Sequence, residues 1–148
     1  MIPSPINPSF AMIRYAITYP VIGTPMEESD VYQAIGEDGF VRLVAAFYRQ
    51  IAHDPILGPM YPTEDLAGAE ERLRDFLVFR FGGPVRYLET RGHPRLRMRH
   101  NPFAITEVAR NRWVEIMSRA MQEAALPADA AAILNGFFAN TATFLRNR

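Results

Sequence analysis

The sequence predicts an all-α protein, and three of its features support that prediction. After residue 30, apolar side chains recur at spacings of three and four over several stretches, which is the repeat of an amphipathic helix. No stretch in this region alternates apolar and polar residues as a half-buried strand does. Proline and glycine fall between the periodic stretches, where turns are expected. The 148 residues are enough for one domain with its own core.

The first 30 residues are predicted to be an extension rather than part of the helical body. Each proline in them removes a backbone donor and interrupts a helix, and they include Pro3, Pro5, Pro8, Pro20 and Pro25. Apolar residues among them are suited to packing on a folded surface. We therefore expect a partly ordered extension over 1–30 and a helical domain over 31–148.

Two helices are predicted between residues 27 and 54. Acidic and hydroxyl residues before Val31 are typical of a helix start, and Gly36 ends that short helix. Asp38 then opens a longer one, which ends at His53-Asp54-Pro55. Its apolar stripe consists of Phe40, Leu43, Val44, Phe47, Tyr48 and Ile51.

The same helix start and stop signals give predictions for four further segments. We expect Asp65 to cap a helix that Gly82-Gly83-Pro84 ends. Residues 85–101 are rich in arginine and show no clear period, although Pro94 can start a short helix that Pro102 stops. A long helix is predicted to begin at Thr106-Glu107, and a last one at Pro127.

Composition excludes several classes of function. The chain has no cysteine, so disulfides, thiolate metal sites and cysteine nucleophiles are absent. Its 16 basic and 16 acidic residues give no net positive charge for nucleic acid or an anionic membrane. No apolar run is long enough to span a bilayer, and the start lacks a signal-peptide layout, so we expect a cytoplasmic protein. Phosphate-binding loops and the common hydrolase motifs are missing as well.

His100 is the histidine most suited to bind a metal. It lies four residues after Leu96 on a predicted helix, with apolar residues directly beyond it. Arg95, Arg97 and Arg99 surround it. An imidazole at an apolar cavity with cations at the rim suits haem, which needs one axial nitrogen and partners for its two propionates. On spacing alone, however, a structural histidine remains the favoured interpretation. His53 is predicted to be a solvated residue at a helix end, and His93 a surface or structural residue in a loop.

Three aromatic side chains with polar hydrogens form a second candidate group. Trp113 is the only tryptophan, and its indole N–H requires an acceptor when buried. The hydroxyls of Tyr48 and Tyr61 also require hydrogen-bond partners when they are buried. Taken separately, each is an ordinary core residue; taken together, they suggest a polar pocket in a helical protein.

Several segments of the chain closely resemble the group II truncated haemoglobins. The resemblance is carried by Tyr61-Pro62, 65–74, Phe76-Leu77, Gly82-Gly83-Pro84, 91–100, Pro102-Phe103 and Trp113, and it spans roughly residues 31 to 147. It implies a two-over-two helical sandwich around haem b. The haem would be held non-covalently, because the cysteines of covalent attachment are absent.

The resemblance also implies roles for individual residues. His100 matches the proximal iron ligand. The distal, gas-facing positions are Tyr48, Tyr61, Trp113, Ala69 and Leu73. Arg72, Tyr87 and Arg99 match residues that meet the haem propionates. The cavity lining would be completed by Phe76, Leu77, Leu96, Phe103, Ile105 and Met117.

The function implied is binding of oxygen, carbon monoxide and nitric oxide at haem iron. Ala69 cannot donate a hydrogen bond, so the two tyrosines and Trp113 would hold oxygen, and would hold it tightly. Tight binding favours redox chemistry, such as a nitric oxide dioxygenase or a peroxidase-like enzyme with a partner reductase, over oxygen delivery. The alternative from a different functional class is a helical interaction module that binds no haem. The resemblance allows a homodimer.

Overall fold

The computed structural model describes residues 25–148, and the prediction of an all-α chain is confirmed. The α-helices are α1 (Val31–Ile51), α2 (Leu66–Arg80), α3 (Arg86–Arg91), α4 (Leu96–His100), α5 (Glu107–Glu123) and α6 (Ala128–Leu145). Three short 3-10 turns cover Glu28–Asp30, Gly58–Met60 and Thr63–Asp65. Residues 25–148 contain no strand. Most of the predicted extension over 1–30 lies outside the described residues.

Helix α1 contains the break that the sequence predicts at Gly36. This residue has φ 67° and ψ 176°, a conformation that essentially only glycine adopts. The helical path is interrupted there, so a short segment precedes the longer helix that carries Phe40, Phe47 and Tyr48. The break therefore sets the direction in which the longer segment enters the core.

The predicted helix ends are correct in position, with two local differences. Thr106 caps α5 as expected, since its hydroxyl accepts from the Ala109 N–H at 3.1 Å. Asp65 stands at the start of α2, but its carboxylate accepts no backbone N–H and instead pairs with Arg72 at 3.1 Å. Pro94 lies before α4 rather than in its first turn, because Arg95 takes the N-cap position with φ 44°.

Helix α3 was not predicted from the sequence. Arg86, at its start, donates from Nε to Asp75 of α2 at 3.2 Å, and it also pairs with Glu37 just after the break in α1. These long-range ion pairs anchor a six-residue helix whose own sequence has too few turns to show a period.

The helices form two layers with the core between them. Helix α1 packs against α2 and α5, and α5 packs against α6. The largest fully buried side chains include Phe40, Leu43, Phe47, Ile51, Leu77, Phe81, Ile116, Met117, Leu134 and Phe138. Within residues 25–148, no helix combines the length and apolarity needed to cross a bilayer.

Candidate functional site

A cavity of about 360 Å³ opens between α2, α4, α5, α6 and the turn before α2. Its volume falls in the range of small-molecule sites, roughly 300 to 1,000 Å³. Fourteen of the residues singled out in the sequence line it: Tyr48, Tyr61, Ala69, Arg72, Leu73, Phe76, Leu77, Tyr87, Leu96, Arg99, His100, Phe103, Ile105 and Trp113. Residues from most of the domain therefore converge on one space.

Met117 is the expected lining residue that the cavity does not include. It is fully buried in the hydrophobic core and is absent from the cavity wall. It follows Trp113 by four residues, which places it about one helical turn further along α5. At that position α5 packs against neighbouring helices rather than facing the cavity.

Sequence reasoning missed much of the wall that α6, the first turns of α5 and the turn before α2 provide. The additional lining residues are Leu57, Met60, Pro62, Ala109, Arg110, Phe137, Phe138, Thr141, Ala142 and Leu145. The apolar stripe of α6 was visible in the sequence. A stripe alone does not distinguish contact with a neighbouring helix from contact with a cavity.

The imidazole of His100 is fixed by its own helix. Its Nδ1 lies 2.7 Å from the carbonyl oxygen of Leu96, one turn earlier. A carbonyl only accepts, so Nδ1 carries a proton, and in the neutral imidazole Nε2 is then the nitrogen with a lone pair. Nε2 makes no hydrogen bond within residues 25–148 and belongs to a side chain on the cavity wall. His53 and His93 are exposed, as expected.

No preformed metal site surrounds His100. Residues 25–148 contain no group of three or more His, Cys, Asp or Glu side chains placed to hold a metal ion. A metal in this cavity would therefore have one protein ligand and would need to bring the others with it. A metalloporphyrin meets that requirement, because its four ring nitrogens complete the equatorial plane.

The charged residues in the cavity wall are all cationic. Arg72, Arg99 and Arg110 line it, and no Asp or Glu of residues 25–148 does. Arg99 donates to the Arg91 carbonyl at 3.1 Å, and Arg110 donates to the Thr143 hydroxyl at 3.1 Å. An apolar space with this rim suits a flat hydrophobic ligand that carries anionic groups.

The other two residues of the predicted arginine cluster point elsewhere. Arg97 places its guanidinium 5.0 Å from the centre of the Phe144 ring, and Arg95 starts α4. Neither lines the cavity. Tyr87 does, with its ring 5.5 Å from that of Phe76 and its side chain almost fully buried.

Tyr48, Tyr61 and Trp113 lie together at the cavity wall, where Trp113 and Tyr61 are hydrogen-bonded and Tyr48 packs against Tyr61. The Trp113 indole N–H donates to the Tyr61 hydroxyl at 3.2 Å. The Tyr48 hydroxyl donates to the Ala69 carbonyl at 3.2 Å. The two tyrosine rings stand perpendicular with centres 5.7 Å apart. The Tyr61 hydroxyl thus receives a hydrogen bond, and its own proton has no acceptor within residues 25–148.

Both tyrosines keep their protons at any ordinary pH. Burial raises the pKa of Tyr61 to about 12, although the hydrogen bond from Trp113 lowers it in part. Burial also raises the pKa of Tyr48, and the nearby Tyr61 raises it further. Each hydroxyl is therefore neutral and keeps its proton, although only the Tyr61 proton has no acceptor within residues 25–148.

Comparison with known proteins gives concordant results. Residues 30–147 match the family model described as bacterial-like globin. The chain is 38% identical over 117 residues to the group 2 truncated hemoglobin YjbI of Bacillus subtilis, covering 79% of this chain and 88% of that protein.

Solved structures agree with this result. The thermostable hemoglobin of Thermobifida fusca is 48% identical, with TM-score 0.76 over 79% of this chain and 96% of that one. The hemoglobin of Chloroflexus aurantiacus is 43% identical, with TM-score 0.77 over 80% and 98%. The truncated oxygen-avid haemoglobin of Bacillus subtilis is 38% identical, with TM-score 0.76 over 79% and 98%.

Proposed function

Because this chain belongs to the bacterial-like globin family, we propose that it holds haem b through His100 and binds oxygen tightly beside Tyr61, Trp113 and Tyr48. The family and the truncated haemoglobin relatives establish the coarser function, which is binding of a small gas at haem. The observation that carries the finer proposal is an imidazole nitrogen and a tyrosine proton, both without a partner among residues 25–148, on the wall of one largely apolar cavity that arginines also line.

The residues of the cavity fit a haem. His100 offers Nε2 as the single protein ligand, and its Nδ1–H bond to Leu96 holds the imidazole in the tautomer that can coordinate iron. Arg72 and Arg99 line the cavity and would pair with the two propionates. Haem iron would supply an open coordination position for the gas and would polarise it towards partial negative charge.

The distal residues provide hydrogen bonds and exclude water. Tyr61 is the residue with a proton to donate to the ligand, while Trp113 fixes the direction of the Tyr61 hydroxyl. Tyr48 has its proton committed to Ala69, so we propose a supporting role for it. Ala69 and Leu73 contribute no side-chain donor, and their apolar surfaces keep bulk water from the site.

Tight oxygen binding follows from these donors. A hydrogen bond to a charged acceptor contributes about 1.5 to 3 kcal/mol, and about 1.4 kcal/mol is a factor of ten in an equilibrium constant. One well-placed donor therefore strengthens oxygen binding by an order of magnitude or more. The similar truncated haemoglobin of Bacillus subtilis is oxygen-avid, which supports the same expectation.

The visible absorption spectrum of the purified protein tests the proposal. We expect a strong Soret band that shifts when the reduced protein is exposed to carbon monoxide, which would demonstrate haem iron with an open position. Absence of the band after addition of haemin would contradict the proposal and favour a haem-free interaction module.

We propose redox use of the bound gas as a second function. The reason is the Tyr61 donor, which Trp113 directs towards the ligand, since tight holding disfavours release. Nitric oxide dioxygenation converts nitric oxide and oxygen to nitrate and consumes one electron, so a partner reductase is needed. Nitrate formed in equal amount to the nitric oxide added would support this function, and unchanged nitric oxide would contradict it.

A further inference from the structure

An ion pair with a buried carboxylate connects the turn that carries Tyr61 to the helix that carries Trp113. The Asp54 side chain is 1% exposed, and its Oδ1 accepts from Nε of Arg112 at 2.6 Å. Its Oδ2 accepts from the backbone N–H groups of Ile56 at 3.1 Å and Leu57 at 2.9 Å. Both carboxylate oxygens are therefore occupied, although neither lies in the gas cavity.

Successive backbone hydrogen bonds in the turn connect Asp54 to Tyr61. The Gly58 N–H donates to the Asp54 carbonyl at 2.8 Å, and the Tyr61 N–H donates to the Gly58 carbonyl at 3.2 Å. Leu57 lies between them, is almost fully buried and lines the cavity. The position of the Tyr61 backbone thus depends on where Asp54 is held.

On the other side of the pair, Arg112 and Trp113 are neighbours on α5. Consecutive helical residues project about 100° apart, so one can reach Asp54 while the other enters the cavity. Arg112 also donates to Glu115 at 3.0 Å, which restrains its guanidinium from a second direction. The same two segments are linked again by the indole-to-hydroxyl bond of 3.2 Å between Trp113 and Tyr61.

We propose that Asp54 and Arg112 are positioning residues of the gas site, because their ion pair sets the separation of the Trp113 indole nitrogen and the Tyr61 hydroxyl. The inference rests on the proposed function for its effect on gas binding. The structural link itself can be tested without it. Neither residue touches the cavity; they act through the turn and the helix that they join.

The pair remains ionised over the neutral range. Burial raises the pKa of Asp54, but hydrogen bonds from the Leu57 backbone, Arg112 and the Ile56 backbone outweigh it, and the net pKa lies below its ordinary value. Arg112 pairs with Asp54 and also with the carboxylate of Glu115. The Asp54 carboxylate thus holds its three hydrogen bonds without a protonation step near neutral pH.

The single tryptophan allows a direct test in the haem-loaded protein. With ¹⁵N-labelled tryptophan, the reduced carbon monoxide form gives one indole N–H signal, which belongs to Trp113. In Arg112→Gln we expect this signal to shift and its hydrogen exchange to accelerate. Oxygen dissociation should accelerate roughly two- to tenfold, the worth of one neutral hydrogen bond. Arg112→Lys, which retains the charge, should recover part of both effects.

Two further variants separate positioning from general stability. Asp54→Asn keeps an oxygen for the turn but loses the charged bond to Arg112, and it should give the same signal shift. Arg119→Gln is the matched control, because Arg119 lies on the same helix and pairs with the same Glu115. It should leave both the indole signal and oxygen dissociation unchanged.

The proposal would be overturned if Arg112→Gln lowered the melting temperature while the indole signal and the oxygen dissociation rate stayed as in the parent protein. The pair would then be structural only. A protein that binds no haem would contradict the proposed function instead. In that case the indole signal of the haem-free variants still decides whether the ion pair positions Trp113.

Discussion

Removal of a single hydroxyl distinguishes the roles of the two distal tyrosines. Tyr61→Phe deletes the one distal hydroxyl whose proton has no acceptor within the described part of the chain, and Tyr48→Phe deletes a hydroxyl that already donates to the Ala69 carbonyl. The two substitutions are otherwise matched, since each replaces a phenol by a benzene ring of the same shape. We expect them to differ strongly in their effect on oxygen release.

The hydrogen bonds of the two hydroxyls give the expected difference in oxygen dissociation rate. A donor to a charged acceptor contributes about 1.5 to 3 kcal/mol, so loss of the Tyr61 hydroxyl should accelerate oxygen dissociation about 10- to 150-fold. Tyr48→Phe leaves the buried Ala69 carbonyl without its side-chain donor. Its main effect should therefore be a loss of about 1 kcal/mol in unfolding free energy, with oxygen dissociation changed by less than about threefold.

Stopped-flow displacement of oxygen by carbon monoxide measures the dissociation rate, and urea unfolding measures the stability. Tyr48→Phe serves as the control for Tyr61→Phe in both assays. Equal dissociation rates in the two variants would refute the assignment of Tyr61 as the ligand donor. A larger rate in Tyr48→Phe would show that the Tyr48 proton turns from Ala69 to the ligand when haem and gas are present.

Four other predictions use the same structure. Trp113→Phe should accelerate oxygen dissociation about two- to tenfold, because it removes only the bond that directs the Tyr61 hydroxyl; stopped-flow rates equal to those of the parent would contradict this. His100→Ala should purify without stably bound haem, and a full haem-to-protein ratio with an unaltered spectrum would end its assignment as the ligand. Unfolding free energy should fall as pH rises from 10 towards 12, because the pKa of Tyr61 is raised to about 12 in the folded protein and the unfolded chain ionises first; urea titrations should show a shallower fall in Tyr61→Phe. Gly36→Ala should cost about 1 to 3 kcal/mol of stability in urea unfolding, since its φ of 67° disfavours a side chain, whereas Gly136→Ala within α6 should be neutral or stabilising.

Local signals were the most dependable part of the sequence. Gly36 ends the first helical segment, Thr106 caps α5, and Pro127 directly precedes α6, all as the residues predict. Each of these signals acts within about one turn of the chain, where neighbouring residues alone determine the backbone conformation. The period of the apolar residues likewise identified the faces that pack in the core.

Short helices held by distant partners were less visible. Helix α3 has six residues and is anchored by Arg86 to Asp75 and Glu37. Its stability comes from ion pairs that the sequence does not reveal until the helices are assembled. Arg110 was overlooked as a cavity residue, and Arg95 and Arg97 were expected at the rim. The direction of each of these side chains likewise depends on how the helices assemble.

By itself, the sequence determined the helical class, the approximate helix limits and, through its family resemblance, fourteen of the side chains that line the cavity. Only the tertiary structure decided which side-chain atoms are paired, both in the cavity and around it. Trp113 reaches Tyr61 across 52 residues, and Arg112 reaches Asp54 across 58. Such pairings depend on how whole helices pack against one another, and that packing is fixed by the core as a unit rather than by the local sequence around either partner.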